Sequence, residues 1–430
     1  MEAVDKKRDR LTRRTAGLLA ARLPELRLHK VADPREGPVK WRLKTLLTTA
    51  LTGMLAGCGG LTDVEDLTTR LSRAARKLLD MGGRVPDTTQ RDLLVRVDPE
   101  EIRKVMYRQM HDAHRRKAIR PVEGLPIRAA SLDGKATGSW LFDRPDAEVK
   151  YGQLQKGRTV VRTITACLST AEGQPCLDAH PIPPETNECG ALNEAVDRLL
   201  AQYDSWLDVL MYDSGGSYLV NADHIVLRGK HYVLCLRGNQ PELRMEAERL
   251  LSKQPVDKAL TQTVDPVSGE VVTRTLWLSE KKAGWNDWTH LRTMIRIQSH
   301  RIDKTTGNEI TEDRYYLSSM AADRLTAAQW LLLIRRRWAV ENECHNTFDT
   351  IFREDKRPWV MLPQGMVVVM MLRRIAYNLL SLFRSVTLRA DRGTRPWKTL
   401  LADVYMTLLV AEARHLDALR RRSLEDPATT

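Results

Sequence analysis

Cysteine is scarce and scattered in this chain. Six stand among 430 residues, at 58, 167, 176, 189, 235 and 344. None forms a C-x-x-C pair, and no Cys/His cluster has zinc spacing. A chain of this length needs no disulfide framework, so a reducing, cytoplasmic setting is expected. Signal-peptide character is also missing, because no apolar stretch closely follows the basic start MEAVDKKRDRLTRR. Long apolar runs are lacking too. Thr45 to Leu61 carries no charge and contains Gly53-x-x-x-Gly57, yet it is slightly short for a membrane span and rich in Thr and Gly. A buried helix of a soluble domain is the expected reading, and Met366 to Leu372 is far too short to span. There is no internal repeat and no low-complexity block.

What is present is a core and an excess of positive charge. Hydrophobic residues make up 42%, which argues against wholesale disorder. Lys and Arg number 68 against 55 Asp and Glu, a net charge of +13. That balance suits a polyanion, nucleic acid before membrane, although a generally basic soluble protein would show it as well.

The chain divides by pattern. Residues 1–122 read as helical, with apolar positions at helix spacing in 16–28, 42–57, 61–81 and 99–112. Breaks fall at Asp33-Pro34, Gly59-Gly60, Gly82-Gly83 and Asp98-Pro99. Basic clusters at Lys6–Arg14 and Arg115–Arg120 suit DNA contact, or simply a solvated surface. From about 123 to 254, short β-branched or apolar runs (IRAASLD, TVVRTITACLS, WLDVLMYD, YVLCLRG) alternate with helical stretches, indicating an α/β core. Residues 255–318 alternate apolar and polar between turn signals and read as a β-rich insertion. Residues 319–392 return to the core with a long helix, and 393–430 form a helical tail.

Glu341 stands out on that helix. The stretch Trp330 to Asp355 has no Pro or Gly. On a wheel of about 100° per residue, Trp330, Ile334, Trp338, His345, Phe348 and Phe352 share one face, and Glu341 falls near its centre. Glu343 and Glu354 fall on the opposite face. A carboxylate on a buried face needs a partner, either Arg337 one turn earlier or a bound cation. Two expected strands end in aspartate, as Leu132-Asp133-Gly134-Lys135 and as Tyr212-Asp213-Ser214-Gly215-Gly216. Ligands of open α/β sheets gather beyond such strand ends. Three carboxylates there would form an oxygen-rich cage suited to Mg²⁺ and to two-metal phosphoryl transfer. Taken singly, Asp133 could be a turn residue, Asp213 a helix cap, and Glu341 an ion-pair partner. Asp208 is a rival for Asp213, but its odd spacing puts it on the other sheet face.

The order Asp133, Asp213, Glu341, with a β insertion before the Glu, resembles the DDE transposases of bacterial insertion sequences. The segment R-W-A-V-E-N-E-C-H-N-T-F-D-T-I-F-R-E-D from Arg337 to Asp355 resembles the third motif of one such group, H-W-x-I-E-N-x-x-H-W-x-L-D-V-x-F-x-E-D. Asp133-Gly134-Lys135 resembles its first motif. Glu185-Thr186-Asn187-Glu188-Cys189 and Arg237-Gly238-Asn239-Gln240 resemble further elements. The likeness runs from about residue 33 to 375, including the associated N-terminal helical domain. Departures are the Ser-Gly-Gly after Asp213, Arg337 in place of His, and Asn346 in place of an aromatic.

The resemblance implies a ribonuclease-H-like core in which Asp133, Asp213 and Glu341 hold two Mg²⁺, with Mn²⁺ able to substitute. It implies a transposase that cuts the ends of its own element and joins them to target DNA, as a homodimer on double-stranded DNA, nucleoid-associated when bound and without a membrane partner. Lys135 and Arg337 would contact phosphates, or else pair with Asp133 and Glu341. Asn187, Glu188 and Asn239 would position DNA or site groups, and Trp285 and Trp288 would stack on an unpaired base or else pack as core. The competing readings are a structure-directed nuclease on the same fold and a catalytically silent DNA-binding descendant.

Overall fold

The computed structural model describes residues 2–138, 151–155, 158–252, 260–264, 271–303, 306–388 and 393–415. It is a mixed α/β protein with a ten-stranded sheet. The strands are β1 (Ala129–Gly138), β2 (Gln153–Gln155), β3 (Arg158–Leu168), β4 (Cys176–Pro181), β5 (Val209–Tyr212), β6 (His231–Leu236), β7 (Leu260–Val264), β8 (Val271–Ser279), β9 (Thr293–Ile302) and β10 (Glu309–Ser318). Their order is β2-β3-β1-β5-β6-β10-β9-β8-β7, with β4 also on β3. β1, β3 and β4 are antiparallel neighbours, whereas β5 and β6 run parallel to β1. The strands within 255–318 extend this sheet, since β10 hydrogen-bonds to β6 and the rest follow as an antiparallel meander.

The parallel strands explain their own sequences. VLMY and HYVLCL are apolar almost throughout because helices cover both faces of a parallel sheet. Alternation then sorts their side chains. Ala130, Leu132, Leu210, Tyr212, Leu234 and Leu236 join the larger apolar core, whereas Ala129, Val209, Met211, Val233 and Cys235 join a second core under the helix Ala327–Arg336.

The larger core is shared by both ends of the chain. Leucines of the helix Leu43–Leu55 and apolar residues of Pro99–Arg115 pack with the helix Pro363–Leu382. Asp98 caps the helix that Pro99 starts, by accepting from the Glu100 amide. The helix Asp87–Leu94 follows Pro86, which offers no side-chain cap, and Glu65 accepts its first amide instead. The stretch read as one helix over 61–81 is two, Leu61–Arg70 and Arg73–Leu78, the second capped by Ser72. Several of the basic-cluster side chains have acid partners: Arg13 with Asp9, Arg115 with Asp112, and Arg116 with Glu25.

The apolar run at Met366 lies within the long apolar helix that the sequence pattern indicates over about 363–388. Pro363–Thr387 is continuous, and by length and composition alone it could cross a membrane. Its most apolar 18-residue window is 94% buried inside the protein, as in a core helix.

Candidate active site at the strand ends

Register brings the first two acids together. Leu132 of β1 pairs with Tyr212 of β5, so Asp133 and Asp213 come next, side by side, at the ends of parallel neighbours. Both continue the face that carries Val209 and Met211, toward the helix Ala327–Arg336 and its continuation. Asp208 lies at the far end of β5, where it accepts from the Arg128 amide. Asp213 does not stand at the N-cap of the helix Leu219–Leu227, where Tyr218 does. A short turn, Ser214–Gly216, comes directly after Asp213. A Cβ on Gly216 would collide with the Tyr212 ring, so the chain can turn this tightly only with glycine there. Asn239 Nδ2 and Gln240 Nε2 both donate to the Ser217 carbonyl, at 3.3 and 3.5 Å, which ties the end of β6 to the loop after Asp213.

The third acid arrives on a helix with a defect. Val340–His345 is a π-helical turn set between Ala327–Arg336 and Asn346–Thr350. Such turns insert extra backbone and rotate the residues beyond them, and they are frequent at functional sites. The segment runs along β1. Ser131 Oγ donates to the Arg336 carbonyl, His345 Nδ1 lies 3.3 Å from Asp133, and Lys135 Nζ lies 2.5 Å from Asp349 and 3.0 Å from Asp355.

Three expectations from the wheel are corrected. Glu341 is not buried at the centre of a face; its side chain is 37% exposed. Glu343, expected in solvent, is half-buried, with Arg384 and Arg336 as its nearest counter-charges. Glu354, also expected in solvent, is fully buried and bonded to Arg374 at 2.7 Å. The reason is the same for all three. A uniform 3.6-residue wheel does not pass through a π turn, and the helix stops at Thr350, before a positive φ at Arg353.

Arg337 stands between two acids. Its Nη1 is 3.6 Å from Glu341 and 3.8 Å from Asp213. The side chain is 2% exposed, and its Nε and Nη1 make no hydrogen bond. Its guanidinium lies over the Trp338 ring at 4.3 Å. Glu341 titrates above the usual glutamate range, first because of partial burial and then because of the Asp133 charge; Arg337 opposes this, and Asp213 adds to it. The three sequence-chosen acids are therefore close enough to feel one another.

Glu188 is nearer to them than its motif alone indicated. It opens the helix Glu188–Tyr203, which Asn187 caps by accepting from the Gly190 amide at 3.0 Å. Its carboxylate accepts from Tyr212 Oη at 2.6 Å and lies where a Cβ on Gly134 would collide with it. Glycine after Asp133 thus lets a fourth carboxylate lie against β1, from the opposite face of the sheet.

The other residues expected to touch DNA are engaged within the fold. Lys135 is buried in its pairing with Asp349 and Asp355, and it does not pair with Asp133. Trp288 is 6% exposed and Trp285 half-buried, both packed on the larger core. Among the described residues, no three His, Cys, Asp or Glu side chains already converge closely enough to hold a metal ion.

Comparison with known proteins adds little to this geometry. No family model matches the chain. A curated protein of Xanthobacter autotrophicus, described as an uncharacterized protein in the dhlA 3' region, is 28% identical over 137 residues, 30% of this chain and 45% of that one. The chain therefore spans less than half of that relative's length. A cryo-EM structure of the piggyBac transposase synaptic complex with hairpin DNA aligns over 96% of this chain and 82% of that chain, with 12% identity and a TM-score of 0.40.

Proposed function

We propose that this chain is a DNA transposase of the DDE class, built on a ribonuclease-H-like core. The strand order β4-β3-β1-β5-β6, three antiparallel strands followed by two parallel ones, supports that core. The observation that carries the function is the meeting of Asp133 and Asp213 at adjacent strand ends with Glu341 above them, each aspartate raising the titration of Glu341.

The donor set suits a hard cation. All three groups are carboxylates, and no thiolate accompanies them. Asp133, Asp213 and Glu341 would hold Mg²⁺, whose chemistry here is the neutralisation of charge on a phosphodiester and the lowering of a bound oxygen's pKa. In the present arrangement Arg337 supplies positive charge to Glu341 and Asp213, and the His345 ring lies 3.3 Å from Asp133. Neighbouring carboxylates are costly without counter-charge, so Arg337 helps keep the site assembled.

The protein's own groups account for the remaining steps. Arg337, its guanidinium over the Trp338 ring, places its unbonded Nη1 near both Asp213 and Glu341, where a phosphoryl oxygen would lie. Asn239 and Gln240 hold the loop that aims Asp213. Water attacks the phosphorus at the element's end; its oxygen–phosphorus bond forms as the bond to the 3′ oxygen breaks, and that oxygen takes up a proton. The freed 3′ hydroxyl then attacks a target phosphodiester, again with one bond formed and one broken in line. A dimer on DNA would pair the two ends.

The test is cleavage of a duplex that carries the inverted repeats flanking the coding region, with Mg²⁺. Wild type should nick at the repeat ends, and Asp133→Asn, Asp213→Asn and Glu341→Gln should not. Undiminished cleavage by any of these variants removes that residue from the site.

A further inference from the structure

One face of the extended sheet changes character along its length. On β8, Leu278 and Leu276 give way to Arg274; on β9, Ile295 and Ile297 give way to Ser299 and Arg301; on β10, Tyr316 gives way to Arg314 and Glu312. Register puts them on one face: Arg274 is across from Ser299, Ser299 from Glu312, and Leu276 from Ile297, which is across from Arg314. The apolar half lies under the helix Ala327–Arg336. The basic half lies farther along the strands, where the Arg335 charge of the helix's last turn is felt, and Val272 beside Arg301 is buried.

This basic half leads into the acidic cluster. β6 pairs Leu236 with Tyr315, so Arg237 continues opposite Arg314. Arg237 Nη2 is 3.8 Å from Asp213. Arg314 lies over the Trp338 ring at 4.7 Å and Arg337 at 4.3 Å. Glu312 is the acid among them, bonded to Arg314 at 2.8 Å and 3.8 Å from Arg301. Arg274 is half-buried, and burial together with the like charges of Arg335, Arg301 and Arg314 lowers its guanidinium to about 10. A folded chain holds so many like charges together at a cost that a polyanion removes.

We propose that Arg237, Arg274, Arg301, Arg314 and Arg335 form a seat for the phosphodiester backbone of the DNA duplex, leading its scissile region to Asp213 and Glu341. The proposal rests on the reading of the site as a DNA phosphoryl transferase, but its test reads binding alone. The seat carries no base-reading pattern, so it holds DNA by charge, and its contribution falls with salt.

The experiment measures fluorescence anisotropy of a labelled, random-sequence 30-base-pair DNA duplex against the full chain in EDTA, over a salt series. Failure of cleavage leaves this measurement intact, so the two readings fail separately. Arg274→Gln and Arg335→Gln should each reduce the steepness of log K against log salt by about 0.9 for every phosphate that the variant no longer neutralises. The double variant should reduce it by the sum. Glu312→Gln should tighten binding several-fold, a gain that unfolding cannot produce. An unchanged slope in the double variant, weaker or unchanged binding by Glu312→Gln, or tighter binding of an RNA duplex of the same sequence would each overturn the proposal.

Discussion

Glu341 and Glu354 belong to the same stretch of chain and are opposite cases of a carboxylate in a protein. Glu354 is wholly buried, with Arg374 at 2.7 Å and Arg373 at 3.8 Å. Burial alone would raise its pKa, but Arg374 and then Arg373 outweigh it and hold the carboxyl below the usual range. Glu341 is partly open, faces two aspartates, and is raised. The first acid is matched to its surroundings; the second is mismatched and reachable. A matched buried pair fixes packing. A mismatched cluster in a cleft marks a place where a ligand completes the charge balance. Burial therefore does not distinguish the functional acid here; the state of its pairing does.

The largest effect that would break this comparison is on activity. Glu341→Gln should lower end cleavage on the order of 10⁴-fold, as loss of one member of a catalytic unit does. The same variant should unfold at an unchanged or slightly higher temperature, because it removes a repelled charge. Cleavage kinetics alongside thermal melting check both halves. A variant that keeps its activity, or one that loses its fold, would erase the distinction.

Glu354→Gln should do the reverse. Removing the charge leaves two buried guanidinium groups without their acid, and breaking one side of such a pair costs about 3–5 kcal/mol. Urea unfolding measures it. Arg374→Met should be comparably damaging, since Glu354 would then keep only the more distant Arg373. Activity per folded molecule should survive in either variant, because neither residue faces the strand ends.

How much of this was legible in the sequence depends on periodicity. The strands VLMY and HYVLCL, the helical first 122 residues and the β-rich segment before Glu341 can be read from local pattern, and each is present. The strand-end aspartates could be placed because register is set by strand direction. The helix wheel failed for Glu343 and Glu354 because nothing in W-A-V-E-N-E-C-H announces a π turn. Lys135 looked like a phosphate ligand because its partners, Asp349 and Asp355, lie more than 200 residues later in the chain. The approach of Glu188 to Gly134 was likewise a tertiary fact. Its one sequence trace is that glycine stands after Asp133 and leaves room for another chain segment.

A smaller effect sharpens the role of Glu188. It lies on the opposite sheet face from Glu341 and is fixed by Tyr212 at 2.6 Å. If it supports the acids without being one of the essential three, Glu188→Gln should lower Mg²⁺-dependent cleavage about 10–100-fold, the usual cost of losing a residue that orients a metal site. Tyr212→Phe should lower it less. A titration of rate against Mg²⁺ concentration separates the two sources of loss. A shift in half-saturation places Glu188 with the site, whereas a lower maximal rate at unchanged half-saturation does not.

The smallest and most discriminating effect is the sign of a pH dependence, measured by urea unfolding in EDTA so that no metal contributes. Glu354 is depressed below its unfolded value of 4.5, so its contribution is present above that pH and is lost as pH falls through the folded pKa. Glu341 is raised above 4.5, so the folded state binds its proton more tightly than the unfolded state does. Its contribution is favourable at low pH and is lost as pH rises from about the unfolded value through the folded one. The stability difference between wild type and Glu354→Gln should therefore shrink on acidification, whereas that between wild type and Glu341→Gln should move in wild type's favour. The Glu341 difference will be modest, since solvent reaches that side chain and screens its neighbours. Two curves of the same sign would mean that both acids are paired in the folded state, and that Arg337 alone answers Glu341.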